Sequence, residues 1–234
     1  MCGRFTRATE AREFTDLIDG LTFSDVKLPP RFNIAPTQLA LVAREHPDTH
    51  TRELVPLKWG LVPHWSKDTK SGAKMINARS ESVATKPSFR DSFKARRCLV
   101  ACDGWYEWKV TPAGMVPMFI HRVTADGEIA LFFFAGLWAS WHDKATPDAA
   151  PLETFTIVTR DAAPELAEIH DRVPVVLPQS AYGAWLGRKM TDSAAANDIL
   201  ATAVLDGFHA YPVSTRVNTP RNDDAACIAV GGSG

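Results

Sequence analysis

Cys2 stands second in the opening run Met1-Cys2-Gly3-Arg4-Phe5. Small second residues favour removal of an initiator methionine, and loss of Met1 would leave Cys2 with a free α-amine and a thiol on adjacent carbons. The amine titrates near ~8 and the thiol near ~8.5, so both are partly nucleophilic at neutral pH. An amine condenses with an aldehyde to give an imine. The neighbouring thiol then closes onto the imine carbon, giving a five-membered thiazolidine. An internal cysteine cannot do this, because its nitrogen is an amide. Taken alone, Cys2 reads more simply as a small apolar residue that follows the start.

Three further clusters carry polar groups in settings that suit chemistry. In Gly104-Trp105-Tyr106-Glu107-Trp108-Lys109, strand alternation puts Trp105 and Glu107 on one face and Tyr106 and Trp108 on the other. A carboxylate among aromatic rings loses hydration, which raises its pKa and suits it to proton transfer. The competing reading is an edge-strand Glu107 in solvent or paired with Lys109. In Met75-Ile76-Asn77-Ala78-Arg79-Ser80-Glu81-Ser82, an extended chain aims Asn77, Arg79 and Glu81 the same way. An amide and a guanidinium together can orient a small polar ligand and a phosphate. On spacing alone, a surface strand with an Arg–Glu pair fits better. In Glu168-Ile169-His170-Asp171-Arg172-Val173-Pro174, His170 leaves a short helix for an apolar strand and can act as a held acid/base, although a lone histidine is more often structural.

Other chemistries find little support. Cys98 and Cys102 share a strand face, but no second Cys or His pair has finger spacing, so no metal or cofactor is expected. There is no phosphate loop, dinucleotide fingerprint or nucleophile elbow. Asp161 or Asp171 would complete a Cys-His-Asp set with Cys2 and His170, which keeps a cysteine peptidase as the alternative.

The elements that must position these groups follow from pattern. Residues 8–19 read as an amphipathic helix, Asp25 to Ile34 as coil, and Leu39–Arg44 with Leu54–Trp59 as a hairpin. Met75 to Val83 reads as extended and Phe89 to Ala95 as helical. Cys98–Ala101 and Trp105–Val110 read as strands about an Asp103-Gly104 turn. Met118–Val123 and Ile129–Trp138 flank the hairpin turn Asp126-Gly127, and the second is apolar enough to be buried on both faces. Phe155–Thr159, Val173–Leu177 and Phe208–Val213 are further strands. Pro164–Ile169, Ser180–Leu186 and Thr191–Leu205 are helices, the last capped by Thr191 or Asp192. Strands outnumber helices and lie close in sequence, which predicts one α+β domain with a curled, largely antiparallel sheet over 2–230. Residues 231–234 read as a flexible tail.

The 234 residues have 45% apolar and 23% charged content, four cysteines and a formal net charge of -1. The chain shows no membrane-span run and no secretory signal, and its cysteines fit a reducing cytoplasm. Binding to nucleic acid would need a local basic surface rather than bulk charge.

Taken together and in order, Met1-Cys2-Gly3-Arg4-Phe5, Arg31-Phe32-Asn33-Ile34-Ala35-Pro36, Trp59-Gly60-Leu61-Val62-Pro63, Ile76-Asn77-Ala78-Arg79-Ser80-Glu81, Gly104-Trp105-Tyr106-Glu107-Trp108 and Ile169-His170-Asp171-Arg172-Val173-Pro174 closely resemble the SOS response-associated peptidase (SRAP) family. The likeness runs from Cys2 to about Ser214. It implies a single α+β domain whose mostly antiparallel, bifurcated sheet curls into a pseudo-barrel with flanking helices. It implies an abasic site processing protein, a monomer in the cytoplasm (at the nucleoid if bacterial) whose partner is abasic single-stranded DNA. The implied product is the Cys2 thiazolidine crosslink, formed after autocatalytic removal of Met1, with lyase-like side activity. By motif, Cys2 is the nucleophile, Asn77 holds the sugar or amine, and Glu107 and His170 move protons. Arg4, Arg79, Thr159 and Arg172 become DNA contacts and Trp65 and Trp108 stacking platforms, while Arg90, Lys94, Arg96 and Arg97 either extend the basic surface or form a solvated face. The loop at Pro63-His64-Trp65-Ser66 departs from the family by carrying Lys67, Lys70 and Lys74, where some relatives have more aromatic surface.

Overall fold

The computed structural model describes residues 2–23, 28–146 and 148–231. Its strands are β1 (Phe5–Arg7), β2 (Leu21–Phe23), β3 (Arg31–Ile34), β4 (Leu39–Glu45), β5 (Arg52–Trp59), β6 (Asn77–Arg79), β7 (Arg97–Cys102), β8 (Gly104–Thr111), β9 (Gly114–Arg122), β10 (Phe132–Trp141), β11 (Leu152–Asp161), β12 (Arg172–Pro174) and β13 (Phe208–Pro212). Its α-helices are short: α1 (Arg90–Ala95), α2 (Pro164–Ala167), α3 (Tyr182–Leu186) and α4 (Ser193–Ala201).

Strand alternation builds two cores from the same segments. Along β7, Cys98, Val100 and Cys102 point to one side, while Leu99 and Ala101 point to the other. β10 does the same, with Phe132, Phe134 and Trp138 opposed to Phe133, Ala135 and Leu137. Strand order β11-β10-β7-β4-β5 closes on itself, because β5 also pairs in parallel with β11 at Thr154↔Lys58 and Phe155↔Trp59. The first set of side chains fills this barrel. The second packs outward beneath α1, α3, α4 and the 3-10 turn Ala11–Leu17. β11 then bifurcates the sheet. Its first half pairs with β10, and its last residues pair with β12 on one edge and β6 on the other.

A second sheet, ordered β13-β9-β8-β1-β3, covers one side. The chain passes from barrel to second sheet at Asp103. That buried carboxylate accepts from Thr6 Oγ1 at 2.5 Å, Thr9 N at 2.9 Å and Thr9 Oγ1 at 3.1 Å, tying the N-terminal strand to the β7–β8 crossing. The fold is therefore the expected α+β domain with a bifurcated, barrel-like sheet.

Several elements differ from the sequence expectation. Within residues 8–19 the chain forms a 3-10 helix at Ala11–Leu17 instead of an α-helix, burying Ala11 and Phe14, with Ile18 buried just after it. Arg31–Ile34 is strand rather than coil, while 24–27 lie outside the described residues. The hairpin β4–β5 forms as expected. The turn at Asp126-Gly127 also forms, but joins strands of different sheets. The segment after Asn77 stays extended for three residues only. It turns where Ser82 N bonds Arg79 O, so Glu81 leaves the strand that carries Asn77 and Arg79. Asp192 caps α4, accepting from Ala194 N. Among the described residues no helix is long and apolar enough to cross a membrane.

Candidate active site

Cys2 precedes β1 and is fully buried in the barrel-side core with Phe5, Trp59, Cys102 and Trp105. Burial, reinforced by the negative charge of Glu107, pushes its thiol far above the usual range. The thiol is therefore protonated at neutral pH. Asn77 opens β6, opposite Ile157 of β11, and its Nδ2 donates to the Cys2 carbonyl at 2.7 Å. Asn77 Oδ1 is buried with no hydrogen-bond partner among the described residues, which leaves an acceptor aimed at the same place. Trp59 holds this corner from beneath, its Nε1 donating to Ile76 O at 2.9 Å.

Glu107 lies in mid-β8, two residues after Trp105 and 2% exposed. Burial raises its carboxyl from about 4.5 to about 7. The aromatic-strand reading thus prevails over a solvent-facing Glu107, and Lys109 pairs with Glu168 instead. His170 sits between α2 and β12 with Nε2 4.0 Å from Glu107 Oε2. Its Nδ1 lies 2.9 Å from the backbone N of Arg172, and its Nε2 faces Glu107. Asp171 Oδ1 is 2.7 Å from the same Nδ1. Burial lowers the His170 pKa, so the neutral ring prevails at pH 7. Cys2, Asn77, Glu107 and His170 come from four separate segments and meet at one point.

The other sequence candidates divide. Arg172 is buried and committed: it donates to Glu81 at 2.8 and 3.0 Å, to Asp161 at 2.5 Å and to Thr159 O at 2.8 Å. Thr159 is buried in β11, in register with Arg79 of β6. Arg79 is exposed and forms no ion pair among the described residues. Arg4 Nη1 donates to Asn33 Oδ1 at 2.8 Å and Val217 O at 2.6 Å, and its guanidinium lies over Trp108. Trp108 is fixed through Nε1 to Asn218 Oδ1 at 2.8 Å. Trp65 stands exposed beyond β5, apart from the aromatic clusters. Arg97 does not belong to a basic surface. It is buried, and all five of its N–H groups are spent on backbone carbonyls. Cys98 and Cys102 share a face as expected, and among the described residues no group of three or more side chains could hold a metal.

Two contributors escaped the sequence reading. Asn33, inside a noted motif, binds Val217 O, Thr219 O and Asn222 O and so seats the C-terminal segment against Arg4. Asp103, which in sequence signals only a turn with Gly104, locks the N-terminal segment that follows Cys2.

The sequence matches the family described as SOS response associated peptidase (SRAP) over residues 1–220. It is 39% identical to the abasic site processing protein YoqW of Bacillus subtilis, covering 97% of this chain and 99% of that one. It is 32% identical to the abasic site processing protein YedK of Escherichia coli over the same shares. With the abasic site processing protein HMCES of Gallus gallus it shares 32% identity over 85% of this chain and 66% of the relative. Among solved structures, a Bacteroides thetaiotaomicron protein superposes with a TM-score of 0.83 at 24% identity, covering 99% of this chain and 100% of that one, a likeness of fold alone. A phage-related protein of Bordetella bronchiseptica gives 0.70 at 29% identity over 92% and 95%.

Proposed function

The chain belongs to the SOS response associated peptidase family, and on that premise we propose that it processes abasic sites in single-stranded DNA by forming a thiazolidine crosslink at Cys2 once Met1 is gone. The ring-opened abasic sugar presents an aldehyde. The Cys2 amine adds to it and water leaves, giving an imine. The thiol then adds across the C=N bond, its sulfur to carbon and its proton to nitrogen. Amine, aldehyde and thiol thus become one ring and one water.

Each step needs a proton moved beside Cys2 and Glu107, which are buried, and His170, which is partly exposed. Glu107, held near pKa 7, is present in both forms at neutral pH and can give a proton to the sugar oxygen or take one from the amine. The His170 ring, neutral at pH 7, faces the same space through Nε2. Asn77 fixes the Cys2 backbone and offers Oδ1 to the substrate. The observation that carries the reading is the buried Cys2 meeting a Glu107 raised to about 7, with His170 4.0 Å beyond. A peptidase acting in trans is the second reading, favoured by Asp171 beside His170.

Intact mass after incubation with an abasic single-stranded oligonucleotide tests this. The expected product is protein without Met1 plus oligonucleotide less one water, stable to denaturation without reductant. Residues added before Cys2 should abolish it. The same stable adduct from the extended protein would sink the proposal, and turnover of unrelated peptides, lost in Cys2→Ala, would favour the second reading.

A further inference from the structure

The near-zero net charge is unevenly spread. From Lys58 to Lys74 the chain carries Lys58, Lys67, Lys70 and Lys74 against a single acid, Asp68. Lys58 and Lys70 line one cavity of about 90 Å³, with Thr37, Trp59, Gly60 and Gly72 among its walls and no carboxylate. Neither lysine forms an ion pair among the described residues. Asp68 is turned to the backbone, its Oδ1 accepting from Lys70 N at 2.9 Å. Two lysines without an ion pair, and no carboxylate, border one concave wall, a lining that suits an anion.

The cavity is built into the fold. Gly60 has φ +120°, and a Cβ there would lie 2.6 Å from Gly72 O. A Cβ on Gly72 would lie 2.7 Å from Gly60 O. The two glycines let the lysine-bearing loop lie directly on the end of β5, where Leu61 N also bonds Met75 O at 3.1 Å. The volume exceeds the ~10–15 Å³ that admits one water and falls well short of the ~300 Å³ of a small-molecule pocket. That room suits a single tetrahedral anion.

Its position links it to the site. β11 meets Lys58 at Thr154 and Asn77 at Ile157. Three residues at ~3.3 Å each put the two backbones roughly 10 Å apart. Asn77 is on the barrel side and Lys58, between the inward Leu57 and Trp59, is on the outer face, so a strand that touches both crosses the rim of the sheet. Phosphates of a stacked strand recur every ~3.4 Å along its axis, so a strand anchored at Cys2 brings one within reach. We infer that the Lys58–Lys70 cavity is a phosphate subsite that seats one backbone phosphate of the DNA strand a few nucleotides from the abasic sugar. The inference rests on the reading of the site as DNA-processing.

The test uses binding without chemistry. Single strands carrying a tetrahydrofuran abasic analogue have no aldehyde and cannot crosslink. Their affinity is measured by fluorescence anisotropy across salt for the wild type, Lys58→Gln/Lys70→Gln and Lys58→Arg/Lys70→Arg, with melting checked for each. Loss of one seated phosphate should lower the slope of log affinity against log salt by about 0.7 in the Gln variant and leave it unchanged in the Arg variant. A single neutral methylphosphonate is then moved along the strand. At one position it should weaken the wild type severalfold and leave the Gln variant unaffected. An unchanged slope, or a lowered slope with no such position, overturns the subsite. Failure of aldehyde strands to crosslink would overturn the proposed chemistry instead, since these readouts do not depend on it.

Discussion

Arg97 and Glu107 are equally sealed from solvent, at 2% exposure each, and the protein treats them in opposite ways. Arg97 begins β7 and sends its N–H groups to five carbonyls: Trp185, Phe93, Lys94, Gly187 and Met190, all at 2.6–2.8 Å. Burial lowers its pKa to about 10, so it stays charged and holds α1 and α3 to the barrel. Burial lifts Glu107 to about 7, leaving it between two states at neutral pH. A buried charge that is fully hydrogen-bonded serves as structure. A buried charge brought to the edge of titration serves chemistry.

The largest effect should come from breaking the structural member of this pair. Arg97→Met leaves five carbonyls to find other donors and should cost about 3–5 kcal/mol, with Arg97→Lys recovering part because an ammonium has only three donors. Chemical denaturation measures both. A loss below about 1 kcal/mol in Arg97→Met would mean that water replaces the guanidinium and that the contrast is weaker than the geometry says.

Glu107→Gln should act in the reverse sense. Between pH 4.5 and 7 the unfolded chain releases the Glu107 proton while the folded one keeps it, so the wild type loses stability as pH rises. The full cost, about 3 kcal/mol at ~1.4 kcal/mol per pH unit, is present above pH 7 and absent below about pH 4. Glu107→Gln escapes it and should be the more stable protein at pH 8, yet crosslink about 10²–10⁴-fold more slowly. A stability difference between Glu107→Gln and the wild type that is the same at pH 8 and pH 4 would show that Glu107 is not held near 7. The smaller change is expected of His170→Gln, which keeps a donor in place of the ring. It should slow crosslinking and remove an acid limb lying below the usual imidazole value of ~6.5, because burial lowers the His170 pKa. An unaltered rate–pH profile would exclude the ring from proton transfer.

The structural half of this comparison was the harder one to read from sequence. Glu107 sits among Trp105, Tyr106 and Trp108, and that local string already predicts desolvation. Apolar alternation likewise placed most of the strands, and Cys98 with Cys102 on one face. Arg97 lies in a basic run with Arg90, Lys94 and Arg96, and nothing local separates it from its exposed neighbours. Its partners in 185–190 are set by tertiary packing. The same holds for barrel closure, which rests on two parallel residue pairs between β5 and β11, and for Asn33, whose partners lie in 217–222. Strand alternation puts Glu81 on the Asn77 face only if the strand continues, and the chain turns after Arg79.

That turn sets up the smallest prediction, on a second pair of arginines. Arg172 is held by Glu81, Asp161 and Thr159, so its charge is largely answered within the protein. Arg79, one strand away on β6, is exposed and in no ion pair among the described residues, so its charge remains for a ligand. Arg79→Ala should leave the melting temperature unchanged, since surface substitutions of this kind stay within about 0.5 kcal/mol. It should weaken binding of single strands alike for every sequence and lower the salt slope by about 0.7, the share of one phosphate on a single strand. Arg172→Ala should differ in kind, lowering stability first by leaving Glu81 and Asp161 crowded together. If Arg79→Ala left the salt slope intact while Arg172→Ala lowered it without loss of stability, the assignment of one arginine to structure and the other to DNA would have to be exchanged.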